Sequence, residues 1–209
     1  MAVTTADPSK AYLWLTGDAF RAPAGTKLPE GDLLAKELKG WDAYGGIEAG
    51  FEPSSEQSVT QKDVFNYRQA PYKVARDPLK EGMKFRAVDN TKAALETRLQ
   101  GGYVVKVGDR YGTVKGVGEE FAFFMRVEDG SDAAFVYCPH ATLKGPATRP
   151  TIDGQTIDGW EFDLAFLEPA MDILPELPEG MEVKELKPGS EGGSSAGTPG
   201  SGPSASETA

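Results

Sequence analysis

"EEFAFFMRVEDGSDAAFVYCP", residues 119–139, sets two apolar runs on either side of the polar stretch from Glu128 to Asp132. Runs of this length, rich in aromatic and β-branched residues, are typical of strands. Asp and Gly favour tight turns, because Asp bonds to its own backbone and Gly accepts a positive φ. The stretch therefore predicts a β-hairpin.

The segments around this hairpin alternate apolar and polar residues in the same way. "QTIDGWEFDLAFLEP" (155–169) has apolar side chains at every second position, with Glu161 and Asp163 between them. "GMKFRAVD" (82–89) also alternates, and "GGYVVKVGDRYGTVKGVG" (101–118) alternates around glycine turns. A period of two indicates strands with one side in a core and one side in water.

One segment has the pattern of a helix. In "VDNTKAALETRLQGG" (88–102), Asp89 or Asn90 can serve as the N-cap, leucines recur four residues apart, and paired glycines follow. This predicts one helix over about residues 90–100. The fold class is therefore expected to be mainly β, a β-sandwich or barrel-like domain with one flanking α-helix, and α+β at the margin.

Two N-terminal segments have weaker patterns. "KAYLWLTGDAFRAP" (10–23) is interpreted as a strand, a turn at Gly17–Asp18 and a second extended piece. "GTKLPEGDLLAKELKGW" (25–41) groups leucines before a glycine and predicts a short helical turn.

The glycine-rich stretch "GWDAYGGIEAGFEPSSEQ" (40–57) raises the question of a phosphate-binding loop. It lacks the Gly-Lys-Ser/Thr ending of such loops. After the glycines, Ile47 and Phe51 fall on one face together with Ala49, and Glu48 and Glu52 fall on the other. An acidic face would repel phosphate, so the stretch is interpreted as a turn that leads into a strand.

Charge and composition limit the possible classes of function and indicate where the folded domain ends. The formal net charge of −10 argues against an ordinary nucleic-acid-binding protein, although an acidic surface also simply favours solubility. Residues 1–175 hold 26 acidic and 20 basic side chains, and residues 176–209 hold six and two. We expect a β domain over 1–175, with a flexible N-terminal arm at 1–10, and a flexible Gly/Ser/Pro-rich tail over 176–209.

The candidates for catalytic chemistry are few. Cys138 is the single cysteine and His140 the single histidine, so an internal disulfide is excluded and a structural zinc site lacks ligands. A catalytic thiol, or a hydrolase that uses His140 with nearby carboxylates, stays open. A buried structural cysteine is favoured, and no enzyme activity, cofactor or metal is expected. The N-terminus does not have the pattern of a secretory signal, and no stretch is predicted to cross a membrane.

The tryptophans suggest a second class of function. Trp14 and Trp160 lie in apolar alternations and are expected to be core or interface anchors. Trp41, between a glycine and an aspartate, is expected to be exposed. It would then be the platform of a β-sandwich binding module, such as a tail-fibre or receptor- and glycan-binding domain.

The order of these segments resembles the major tail protein, or tail tube protein, of long non-contractile-tailed bacteriophages. The resemblance covers most of residues 10–170. It is carried by "FRAPAGTKLPEG" after a strand, "GWDAYGGIEAGFEPSSEQ", the strand and helix of "YRQAPYKVARDPLKEGMKFRAVDNTKAALETRLQGG", and "FVYCPHATL" after a hairpin.

The resemblance implies a structural subunit of the virion that assembles in the host cytoplasm. Six copies would close into a ring, and the rings would stack around a tape-measure protein into a tube, with tail-tip and tail-terminator proteins as further partners. DNA would pass through the tube without specific binding.

This picture assigns roles to two groups of residues. Acidic residues on the polar sides of strands are candidates for the wall of the bore, the alternative being that they face outside solvent: Glu48, Glu52, Glu161 and Asp163. The segment "PSSEQSVTQKDVFNYRQAPYK" (53–73) is proposed as an extended hairpin or loop that reaches a neighbour, the alternative being an ordinary surface loop. Its candidate contact residues are Phe65, Tyr67, Arg68 and Tyr72.

Overall fold

A computed structural model of the chain describes residues 6–66, 69–178 and 180–184. The chain divides into two compact units, Met1–Pro175 and Glu176–Ala209. The first unit begins with a short 3-10 turn at Pro8–Lys10 and holds all the strands given below. In the second unit, residues 176–178 and 180–184 form no helix or strand, and the rest of the predicted tail lies outside the described residues, as do residues 1–5 of the predicted arm.

Strands dominate the described residues, so the prediction of a mainly β fold with one α-helix is confirmed. The helix, α1, spans Lys92–Leu99. The strands in chain order are β1 (Thr16–Pro23), β2 (Asp42–Ala43), β3 (Ile47–Glu56), β4 (Val59–Lys62), β5 (Lys73–Arg76), β6 (Lys80–Ala87), β7 (Tyr103–Val107), β8 (Arg110–Val114), β9 (Phe121–Glu128), β10 (Ala133–Leu143), β11 (Trp160–Phe166) and β12 (Met171–Ile173).

Eight of the strands form one antiparallel sheet. Its order is β2-β1-β9-β10-β11-β6-β3, and β12 also pairs with β10. The sheet curls so that β1, next to one end of the sheet, approaches β3 at the other end. The closeness of the two strands is shown at Gly17 of β1, where an added Cβ would lie 3.0 Å from Cε2 of Phe51 in β3. The result is a barrel-like body with a seam between β1 and β3, two strands that do not pair with each other in the described structure.

Strand β9 lies near the middle of the sheet and is buried on both sides. Phe121, Phe123 and Met125 point into the main core, inside the curl. Ala122 and Phe124 point to the opposite side, into a second core. Because both sides of the strand are covered, its sequence is a continuous apolar run rather than an alternating one.

Different elements cover the two cores. Helix α1 closes the main core with Ala93 and Ala94, and the hydroxyls of Tyr44 and Thr97 lie 2.7 Å apart in its interior. The second core is covered by the segment that follows β1, including Leu38.

The helix was predicted correctly, but its N-cap was not. Oγ1 of Thr91 accepts the hydrogen bond from the Ala94 N–H, so Thr91 is the cap. Asp89 instead accepts a hydrogen bond from the Gly46 N–H, 2.8 Å away, and fastens the turn before β3. The helix ends at Gln100, which has left-handed backbone dihedrals.

Two expectations for the N-terminal segments are wrong. Gly17 and Asp18 form no turn but lie inside β1, opposite Val127 and Arg126 of β9. Gly17 is required there by close packing, since a Cβ would lie 2.8 Å from the Arg126 carbonyl oxygen. Residues 25–41 form bends and turns rather than a helix. Leu28, Leu33 and Leu38 pack in the second core on the outer side of the sheet, while Leu34 is exposed.

A buried arginine holds the covering segment in place. The guanidinium of Arg126 donates to Asp18, with Nη2 2.6 Å from Oδ2, and to the carbonyl oxygens of Leu33 and Ala35. The side chain is 7% exposed, so these bonds replace the water that it loses. The planar guanidinium holds five N–H donors in a fixed arrangement, whereas a lysine ammonium is a compact charge with three donors.

We expect Arg126→Lys to lower the free energy of unfolding by about 1.5–3 kcal/mol, the usual worth of a hydrogen bond to a charged group. Urea denaturation followed by circular dichroism measures the change. Arg76→Lys, on an exposed strand, is the control and should change stability by less than about 0.5 kcal/mol. Equal stability of the Arg126 variant and the parent would contradict the assigned role.

Candidate assembly surfaces

The four acidic candidates for the bore lie on one side of the sheet. Strand β6 lies between β3 and β11. Glu48 and Glu52 of β3 stand opposite Arg86 and Lys84 of β6, and so do Glu161 and Asp163 of β11. We call these six residues the charged face: Glu48, Glu52, Lys84, Arg86, Glu161 and Asp163.

The carboxylates of the charged face are close to cations. Nζ of Lys84 lies 3.2 Å from Oε1 of Glu161, and Arg86 forms an ion pair with Glu48. Asp163 pairs with Lys144, with Oδ1 and Nζ 3.1 Å apart.

These carboxylates also raise the pKa of a neighbouring lysine. The pKa of Lys84 is raised, first by the hydrogen bond to Glu161 and then by the charges of Glu161, Glu52 and Asp163. The sequence indicated an acidic surface, but the structure gives one in which four carboxylates meet three cations.

A bulge sets the side on which the β3 carboxylates lie. The pairing of β3 with β6 shifts between Glu48 and Phe51, and Ala49 and Gly50 in the bulge have φ of +63° and +81°. Ala49 therefore does not share the regular strand face with Ile47 and Phe51, as the alternation predicted. Since the bulge contains two residues, Glu48 and Glu52 still point the same way.

Two hairpins extend beyond the sheet. The first, which we call the long arm, consists of β4 and β5 and continues the β3–β6 hairpin. Its strands are exposed along their whole length. The sequence predicted an extended hairpin or loop here, and Phe65 and Tyr72 lie at the end of this hairpin with exposed rings. Tyr67 and Arg68, the other two candidates, lie outside the described residues.

The second hairpin, which we call the short arm, consists of β7 and β8 and follows helix α1. In the described structure, the two strands pair only with each other. The arm carries six exposed large apolar residues: Tyr103, Val104, Val105, Val107, Tyr111 and Val114. Sequence alternation identified its strands but gave no sign that they would stand apart from the sheet.

Close backbone contacts fix the base of the short arm against the end of α1. The Gly116 N–H donates to the Leu99 carbonyl, 2.7 Å away. A Cβ on Gly102 would lie 1.9 Å from the Val114 carbonyl oxygen, so only glycine fits. The arm therefore leaves the body in a defined direction although its strands are exposed.

An apolar groove with a volume of about 980 Å³ follows the seam between β1 and β3. Its lining includes Trp14, Ile47, Phe51, Val136 and Ile173. The volume is at the upper end of the range of about 300–1,000 Å³ typical of ligand pockets. Sequence analysis did not identify this groove, because its walls come from six separate parts of the chain.

Trp41 is not the exposed platform that the sequence suggested. It is 8% exposed and packs in the second core, with its ring centroid 5.9 Å from that of Phe124 and 6.3 Å from that of Tyr137. The argument for a glycan-binding module that rested on Trp41 is therefore removed. Trp160 packs against the main core, and Trp14 stacks on Tyr12 beside the groove.

The Cys138 thiol and the His140 ring have separate hydrogen-bond partners. The Cys138 thiol is buried and donates to the carbonyl oxygen of His140, 3.1 Å away, while Nδ1 of His140 lies 3.1 Å from Oε2 of Glu120. Burial raises the pKa of the thiol to about 11. A neutral, buried thiol is a poor nucleophile because the thiolate is the reactive form.

Within the described residues, no group of three or more His, Cys, Asp or Glu side chains is arranged to hold a metal ion. None of the helices there has the length and apolar character needed to cross a membrane. A scan of the sequence against protein-family models finds no match, and a search of curated proteins finds none either. The geometry of the arms, the groove and the charged face therefore carries the functional inference.

We expect Cys138 to resist thiol reagents in the folded protein. Because its pKa is raised to about 11, the thiolate is scarce at pH 8 and burial blocks the reagent. Reaction with 5,5′-dithiobis(2-nitrobenzoate) should be slow in buffer and rapid in concentrated urea. Rapid reaction of the folded protein would contradict the placement of the thiol.

Proposed function

We propose that this protein is a structural subunit of a long non-contractile bacteriophage tail tube. Six copies form a ring, and stacked rings form the conduit through which DNA is ejected into the host. The proposal is supported by one observation above all: a barrel-like body carries two hairpins that expose apolar side chains.

Exposed hairpins of this kind are costly in a protein that acts alone. A two-stranded hairpin is marginally stable in water, and contiguous exposed apolar surface marks sites of association. Contact between an arm of one subunit and a different surface of the next is heterologous. Such contacts close into rings or extend into filaments. A tube combines both, because it is a stack of closed rings.

The charged face is the proposed wall of the bore. Duplex DNA is held when lysines and arginines replace its counterions. Lys84 and Arg86 of this face, and Lys144 beside it, already have carboxylate partners, so a phosphate would have to displace those carboxylates. The face therefore offers DNA little to bind, as passage through a conduit requires.

The remaining parts of the proposal follow from assembly. The protein's main partner is itself, and a tape-measure protein, a tail-tip complex and a terminator complete the tail. The subunit is made in the host cytoplasm and ends in the virion. It needs no catalytic centre or cofactor, since shape and surface charge perform the function.

The first test is electron microscopy of the concentrated full-length protein, alone and with purified tail-tip complexes as seeds. We expect rings or hollow tubes, because every subunit carries both surfaces of a repeating contact. Sedimentation velocity over a concentration series gives the mass of the assemblies. A strict monomer in both conditions would refute the proposal.

A labelling experiment tests whether the charged face lines the bore. We expect Glu52→Cys in assembled tubes to react with a small maleimide but not with a maleimide attached to a globular protein, which cannot enter the bore. The dissociated Glu52→Cys subunit is the control and should react with both. Equal labelling of tubes by both reagents would place the face on the outside.

A further inference from the structure

One side of the short arm is apolar except for Arg110 at its tip. Cross-strand pairing sets Tyr103 beside Val114, Val105 beside Gly112 and Val107 beside Arg110, all on this side. The four large apolar side chains of this side, Tyr103, Val105, Val107 and Val114, are between 38% and 62% exposed. The other side mixes apolar with polar residues, including Lys106 and Thr113. The two sides of one hairpin therefore differ in what they can bury.

The groove is open to an added strand. Strand β3 forms one of its walls and, among the described strands, pairs only with β6. Strand β1 on the other wall pairs with β2 only at Phe20 and Arg21. Free backbone groups along such edges accept a strand from another chain.

The short arm lies outside the groove of its own subunit. Its base is held at the end of α1 through Gly116 and Leu99. No described residue from 92 to 118 lines the groove. The occupant considered for the groove is therefore the short arm of another copy.

The charges of the two surfaces are complementary. In an acidic protein, residues 103–118 carry Lys106, Arg110 and Lys115 against the single acidic residue Asp109. The described lining of the groove has two acidic residues, Glu81 and Asp172, and no lysine or arginine. Complementary charge steers encounter and sets the orientation of docking.

We propose that the short arm of one copy docks in the groove of a second copy, with its apolar side against the groove walls. The inference rests on the proposed function and deepens it, since it names the surfaces of one repeating contact. Each subunit has one short arm and one groove of this kind among its described residues, so the contact repeats head to tail. It buries apolar surface that the isolated subunit leaves in water.

The test is a pair of variants on opposite sides of the same hairpin. Val105→Asp puts a charge on the apolar side and is expected to raise the protein concentration needed for assembly at least about tenfold, because a buried valine is lost and a charge is desolvated. Thr113→Asp makes the same charge change on the other side and should leave assembly near the parent level. Circular dichroism and urea denaturation of both monomers check folding.

A cross-linking experiment identifies the contact. Val107→Cys on the arm and Ser55→Cys beside the groove are prepared as separate proteins, with the buried Cys138 retained. Under mild oxidation we expect disulfide dimers when the two are mixed, and none when Ser55→Cys is replaced by Ile152→Cys, an exposed residue outside the groove lining. The parent chain controls for Cys138.

The outcomes separate this inference from the proposed function. The docking proposal would be overturned if tubes form but the Val107→Cys and Ser55→Cys proteins do not cross-link, and if Val105→Asp and Thr113→Asp reduce assembly equally. In that case the proposal of a tube subunit would still stand. The absence of any assembly, with or without tail-tip seeds, would overturn both. Cross-linking of the mixed pair together with selective loss in Val105→Asp supports the docking of arm in groove.

Discussion

The structure depends on one constraint, which is that strand β9 must be covered on both sides. Its alternating residues face two different cores, and neither core exists without β9 as a shared wall. One side is covered because the sheet curls and α1 closes it. The other is covered by the segment after β1, which Arg126 holds through Asp18 and two carbonyl oxygens. The curl of the sheet and the covering segment thus each bury one side of β9.

The same curl explains where the body remains incomplete. Strands β1 and β3 approach each other without pairing throughout, so a groove lies along the seam. The strands of the two arms do not pair with the large sheet, and the arms expose apolar side chains to solvent. In the proposed function, the unpaired edges and the exposed hairpins are the complementary parts of an assembly contact. The surfaces that stabilise the body are therefore different from those proposed for assembly.

Local patterns predicted much of the fold. The turn residues around Asp129 and the flanking apolar runs predicted the β9–β10 hairpin, and the spacing before Gly101 predicted helix α1. The failures have a common cause. Trp41 has a glycine and an aspartate beside it, but distant rings of Phe124 and Tyr137 cover it. Gly17 resembles a turn residue, but it is needed because β1 packs closely against β9 and β3. Neighbours in sequence do not reveal such contacts.

The sequence by itself determined helix α1, the β9–β10 hairpin and the polar sides of β6 and β11, because these depend on turn residues and on periods of two and 3.6 within a few residues. Only the tertiary structure decided that Lys84, Arg86 and Lys144 would meet the carboxylates of the charged face. Only it decided that β7 and β8 would stand apart from the sheet and that a groove would follow the seam. Strand pairing joins residues far apart in the chain. Alternation shows on which side of its strand a residue lies, but it does not show which strand lies beside it.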